Sequence, residues 1–222
     1  MGYVILTEKF KGDSMINPDL KEYIETTIIP QYNGFDNAHQ PDHVYQVIDN
    51  SLAIAKDYEV DLAMVYTIAA YHDLGLKYGR DGHEEASGRI VLEDDVLKDF
   101  FNDDQLHIIS EACCDHRASL AYEPRSIYGK IISEADRDVD FGRLLTRAIN
   151  YSLDYYTDFK PEETFQQVYE HMKEKYGPQG RVTLWLAYPP NVANLEKVHT
   201  ILANEDLFQQ EFDQLYPQLK NR

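Results

Sequence analysis

The stretch DLAMVYTIAAYHDLGLKYGRDGHEEAS, residues 61–87, decides how this chain is read. Between Asp61 and His72 it carries no charge, the pattern of a helix buried on every side. The run stops at a histidine and an aspartate, then at Gly75, a residue suited to ending a helix. Another histidine, His83, follows eleven residues after His72. Burying an imidazole and a carboxylate without partners is costly, and two readings resolve the cost. In one, His72 and Asp73 share a divalent cation, a natural partner for nitrogen and carboxylate ligands. Adjacent helical residues diverge by about 100°, so that cation lies beyond the last turn, where Gly75 leaves room. In the other, His72 caps the negative end of the helix and Asp73 faces water.

Helical periodicity extends outward in both directions. Residues 41–56 open with Pro41 and Asp42, a first-turn signature, and place His43, Val47 and Ile54 along one side. Leu106, Ile109, Cys113 and His116 fall at helical spacing, as do Tyr128, Ile132, Ala135 and Val139, with Asp136 at the edge of the latter stripe. Pro161, Glu162 and Glu163 start a helix carrying Phe165, Val168, Tyr169, Met172 and Tyr176, which Gly177 ends. Two segments fit either a short strand or a helical piece: VILTEKF at residues 4–10 and RVTLWLAY at residues 181–188. The expected fold class is all-α. Its expected parts are an N-terminal segment (1–36), a helical core (37–150) and a C-terminal helical region packed on the core (151–222).

Composition narrows the partners. At 222 residues with 43% hydrophobic content the chain can bury a sizeable core. With 39 acidic against 21 basic residues the net charge is −18, which repels nucleic acid and anionic lipid at long range. No window approaches the length of a membrane span, and the N-terminus lacks the basic region of a signal peptide. Cys113 and Cys114 are adjacent and close no useful disulfide loop, so a reducing cytoplasm is the expected location. There is no phosphate-binding glycine loop, no nucleophile elbow and no CxxC.

His43, then His72-Asp73 twenty-nine residues later, then Asp136 in an Ala-Asp-Arg context together resemble the HD superfamily of metal-dependent phosphohydrolases. NAHQPDHVYQV is similar to the helix opening that holds the family's first histidine, and AAYHDLG to its apolar helix ending in His-Asp. GHEEAS and ISEACCDHRAS resemble the later histidine-bearing segments, at His83 and His116, and KIISEADRD the segment of the final aspartate. The resemblance covers roughly residues 37–150 and implies an HD-domain helical bundle with a C-terminal extension. It further implies a divalent transition metal (manganese, nickel, zinc, iron or cobalt) on His43, His72, Asp73 and Asp136. His83 and His116 match positions that hold a second metal in some members and meet substrate phosphate in others. Gln46 departs from the arginine that many relatives carry there.

The implied activity is hydrolysis of a nucleotide or other small phosphorylated molecule by metal-activated water, with Asp73 as the proton acceptor. Lys77, Arg80, Arg117 and Arg137 lie within a few residues of these ligands and are candidates to offset phosphate charge. One ion is expected rather than two, because a second needs a bridge such as Asp73 and several donors of its own. A di-iron oxygenase using all six ligands, and a non-catalytic metal or ligand sensor, are the competing readings. Homo-oligomers are compatible with either.

Overall fold

The computed structural model describes residues 16–36, 38–117, 120 and 122–220. VILTEKF lies outside the described residues. These hold ten α-helices and no strand. A first helix, α1 (Pro18–Tyr23), continues through a π turn (Ile24–Ile28) and a 3₁₀ turn (Ile29–Gly34). Then come α2 (Pro41–Ala55), α3 (Leu62–Tyr71), a 3₁₀ turn (Leu74–Tyr78), α4 (His83–Glu93) and a further 3₁₀ turn (Asp95–Asp99). The chain goes on through α5 (Asp103–Cys114), α6 (Ile127–Ala135), α7 (Phe141–Tyr155), α8 (Pro161–Tyr176), α9 (Pro189–Leu202) and α10 (Glu205–Lys220).

Local chemistry accounts for the starts. Asp61, Ser126 and Asp140 cap α3, α6 and α7 with their side-chain oxygens, and Asn102 with Gln105 forms a reciprocal capping box at α5. Helix α3 is buried from Met64 to Tyr71 and packs against α2, α5 and α6. It is the axis of the first apolar cluster, which runs from Leu20 to Ala135. A second cluster runs from Phe141 to Leu219 and is built on α7, α8, α9 and α10. Phe165, Tyr169, Phe208 and Phe212 interlock there as edge-on and tilted rings. In packing, then, α7 goes with the three helices after it.

RVTLWLAY is neither strand nor helix. The buried carboxylate of Glu134, on α6, accepts from the backbone N–H groups of Trp185 (2.9 Å) and Leu186 (3.4 Å) and from the Asn191 amide (3.0 Å). Donors that a ladder or helix would use are spent on one side chain, and the segment stays irregular. The same clasp ties the C-terminal helices to the end of α6, two residues before Asp136.

Candidate metal centre

The candidate ligands gather at helix ends. His72 and Asp73 follow the last residue of α3, Asp136 follows α6, and His116 lies two residues past α5. His43 is in the first turn of α2, and His83 is the first residue of α4. Three C-terminal ends, each carrying partial negative charge, thus converge where a cation would bind.

One carboxylate organises the cluster. Asp73 Oδ2 is 3.2 Å from His72 Nε2 and 3.7 Å from His43 Nε2. Its other oxygen, Oδ1, is 3.2 Å from His83 Nε2 and 3.2 Å from His116 Nε2. Asp136 Oδ1 stands on the first side, 3.3 Å from His43 Nε2 and 3.9 Å from His72 Nε2. Two compact donor groups result, His43–His72–Asp73 and Asp73–His83–His116, and Asp73 belongs to both.

The histidine tautomers are set by the backbone. His72, His83 and His116 each place Nδ1 on a carbonyl three residues earlier: Ala69 at 2.8 Å, Arg80 at 2.8 Å and Cys113 at 2.6 Å. A carbonyl only accepts, so Nδ1 carries the hydrogen and the Nε2 lone pair faces the cluster in the neutral ring. Nε2 of His43 and of His72 is buried without a hydrogen-bond partner. Such orphaned nitrogens, aimed at carboxylate oxygens at bare contact distance, fit a divalent metal ion.

Neighbours hold this arrangement rigid. The buried Tyr32 hydroxyl accepts from the Asp73 N–H at 3.3 Å and donates to the Ala70 carbonyl at 2.9 Å, bracing the turn. Asp115, fully buried before His116, takes two side-chain nitrogens and the backbone N–H of Arg125. Asn50 donates to the Ala135 carbonyl next to Asp136. His39, in the loop ahead of α2, anchors Nδ1 on Asp36 at 2.7 Å and places Nε2 3.8 Å from Asp73 Oδ2. Its position four residues ahead of His43 was the one signal the sequence offered. Tyr32 and Glu134 gave none.

The four candidate cations separate. Lys77 and Arg80 line an open cleft. Arg117 pairs with Glu84 at 2.6 Å, and Arg137 is buried with Nη2 on Ser133 Oγ at 3.1 Å. His107 is exposed on α5. Cys113 is fully buried and Cys114 half-buried, both unpaired.

Residues 42–139 match the family model described as the HD domain. These residues carry an HD domain. HD domains are generally those of metal-dependent hydrolases, and the His/Asp groups above are able to hold a metal. The HD domain here covers α2 to α6 and the first residues after it. Among solved structures, the chain is similar to a predicted HD superfamily hydrolase from an uncultured Thermotogales bacterium. The two are 24% identical, the match covers 69% of this chain and 84% of that one, and the TM-score is 0.45. No curated protein matches the sequence. Among the described residues no helix is long and apolar enough to cross a membrane.

Protonation within the HD cluster competes with metal. Burial disfavours the charged form of His116, but the Asp73 carboxylate outweighs it and carries the pKa up to about 9. His43 is raised against the same burial by Asp73 and Asp136, and His83 is raised chiefly by its bond to Asp73. Burial would raise Asp73, yet the charge of His72 and the close approach of the His116, His43 and His72 rings hold it well below the usual carboxylate range. Imidazoles with raised folded pKa stabilise the metal-free chain most below their unfolded value of about 6.5, and that contribution is lost as pH rises toward 9. Metal needs the neutral rings and expels those protons. Thermal denaturation is expected to show the metal-free chain weakening from pH 6.5 to 9, while metal affinity rises over the same window. Calorimetry in two buffers of different ionisation enthalpy should register proton release on binding. Affinity falling across that range would contradict the ligand assignment.

Proposed function

We propose that the chain is a metal-dependent phosphohydrolase that acts on a small phosphorylated molecule, in which His43, His72, Asp73 and Asp136 would hold one divalent ion and Asp73, His83 and His116 would hold a second. The observation that carries this reading is the division of the donors. His43 and His72 face Oδ2, with Asp136 Oδ1 beside the same two nitrogens, whereas His83 and His116 face Oδ1. The expectation of a single ion rested on a second one needing donors of its own besides the shared Asp73, and the gathering of both His83 and His116 on Oδ1 favours such a set. Bound metal would supply an activated water and charge neutralisation for the phosphoryl oxygens.

The chain's own residues divide the remaining tasks. Asp73, approached by histidines at both oxygens, would be a ligand common to both groups and not the proton acceptor that its position in sequence suggested. The backbone carbonyls of Ala69, Arg80 and Cys113 keep three Nε2 atoms turned inward without side-chain entropy to lose. His39, held at Nδ1 by Asp36, presents Nε2 at the rim, where it can place a proton on a leaving oxygen. The half-buried position of His39, against the full burial of His72, keeps that nitrogen within reach of a ligand.

The test is metal analysis of protein prepared without added metal, joined to a panel of nucleotides and sugar phosphates. Expected is a content near two ions per chain and metal-stimulated release of phosphate or pyrophosphate. Metal without any such release, with oxygen consumed in the presence of iron, would replace this reading by the oxygenase. Metal with neither activity would favour a sensor.

A further inference from the structure

Two of the four cations named from sequence share one concave surface. Lys77 and Arg80 line an open cleft of about 480 Å³ together with Gly34, Phe35, Asp36 and Leu76. The other two do not line it: Arg117 pairs with Glu84, and Arg137 is buried with Nη2 on Ser133 Oγ. Phe35 and Leu76 give the cleft an apolar wall. Its connection to the metal cluster is short: Asp36 Oδ1 holds His39 Nδ1 at 2.7 Å, and His39 Nε2 faces Asp73 Oδ2 at 3.8 Å.

The cations here are not consumed by their neighbours. Arg80 meets Asp36 Oδ2 at 3.5 Å, with the arginine 71% exposed, and an exposed pair at that distance is worth little. Lys77 forms no ion pair among the described residues and lies over the Tyr78 ring at 5.2 Å. On a chain of net charge −18, two available cations beside the centre form a local reversal of the field, where an anion gains most. A guanidinium can grip a phosphate through two parallel hydrogen bonds, with an ammonium adding a mobile point charge. Asp36 need give up only its weak contact with Arg80, since its stronger bond is to His39.

Resting on the phosphohydrolase reading, we infer that this cleft binds a phosphate group of the substrate beyond the one that reacts. The substrate class is then a diphosphate or triphosphate ester and not a monophosphate. The metal cluster takes the reacting phosphoryl group, and Lys77 and Arg80 take its neighbour along the chain.

The test uses the full chain, metal-loaded and with divalent metal in excess, and adenosine mono-, di- and triphosphate as probes. Turnover is followed by phosphate or pyrophosphate release, and adenosine diphosphate binding by calorimetry. Wild type is expected to favour the di- and triphosphate. Lys77→Ala and Arg80→Ala should each raise KM for these about tenfold, the loss of one charge-assisted contact. They should leave kcat, metal content and KM for the monophosphate near wild type. Lys77→Glu should raise KM further. Equal effects on monophosphate and diphosphate, or no effect on either, would overturn the inference while the hydrolase reading stands. Absence of turnover with all three probes would defeat the hydrolase reading. In that event the assignment of a second, non-reacting phosphate falls with it, and Lys77→Ala weakening diphosphate binding would keep only the cleft as a phosphate site.

Discussion

Asp73→Ala is expected to empty both metal positions and lower turnover by a factor of about 10² or more. The expectation follows from the two faces of one carboxylate. On Oδ2 the residue meets His72 and His43, and on Oδ1 it meets His83 and His116. Removing it leaves His43, His72 and Asp136 as one incomplete group and His83 with His116 as another. Neither then has the oxygen that placed it beside the other. His83→Ala makes the contrast, since it touches Oδ1 alone: metal content should fall from near two to near one, with the Oδ2 group intact. His107→Ala is the control, because that ring is exposed on α5 and bonds only the Asp103 carbonyl of its own helix. Metal analysis and turnover on the three variants decide the matter. An Asp73→Ala protein that keeps its full metal content would remove Asp73 from the centre and, with it, the two-ion arrangement.

The parts of this architecture legible in the sequence are those governed by local spacing. Apolar stripes at helical period marked α2, α3, α5, α6 and α8, and an uncharged run marked α3 as the buried axis, because burial on all sides leaves no position for a charge. The family resemblance brought His43, His72, Asp73, His83, His116 and Asp136 into view together. What periodicity does not carry is how side chains from distant segments divide one carboxylate between them. Nothing local says that His72 and His83 approach different oxygens of Asp73. Glu134 reads as an ordinary helix residue until Trp185, fifty-one positions later, donates its N–H to it. Tyr32 reads as a core aromatic until its hydroxyl meets Asp73 across forty-one positions. Helix ends were also blurred, because His116 continues the apolar stripe of α5 although the helix stops at Cys114. Loops between helices set these meetings, and their conformations follow from the packed fold and not from short-range propensity.

Gly75 shows the same limit and gives a second large expected effect. From sequence it is a helix stop, a role that calls for a left-handed residue. Its φ is not positive, and α3 has already ended at Tyr71. The glycine is there for closeness. A Cβ at this position would meet Ala86 Cβ at 2.8 Å and the Ser87 nitrogen at 2.7 Å, and would overlap the carbonyl oxygen of His83. Two of these are backbone atoms of the start of α4, from His83 and Ser87, which cannot swing aside as a flexible side chain would. The Gly75 N–H also donates to Ser87 Oγ at 2.9 Å, so the turn after His72-Asp73 is joined directly to the helix that starts with His83. Gly75→Ala must therefore push α4 away. The expected cost is about 3 kcal/mol, the upper end for overpacking, because backbone has to move. That corresponds to a fall in Tm of roughly 6–12 °C for a chain of this size. The displacement carries His83 off Asp73 Oδ1, so metal content should drop toward one ion per chain in the fraction that remains folded. Gly34→Ala is the matched control: nothing lies within 4 Å of its added Cβ, and its stability should stay within about 0.5 kcal/mol of wild type. If Gly75→Ala keeps wild-type Tm and full metal content, the close approach of this turn to α4 is not what positions His83.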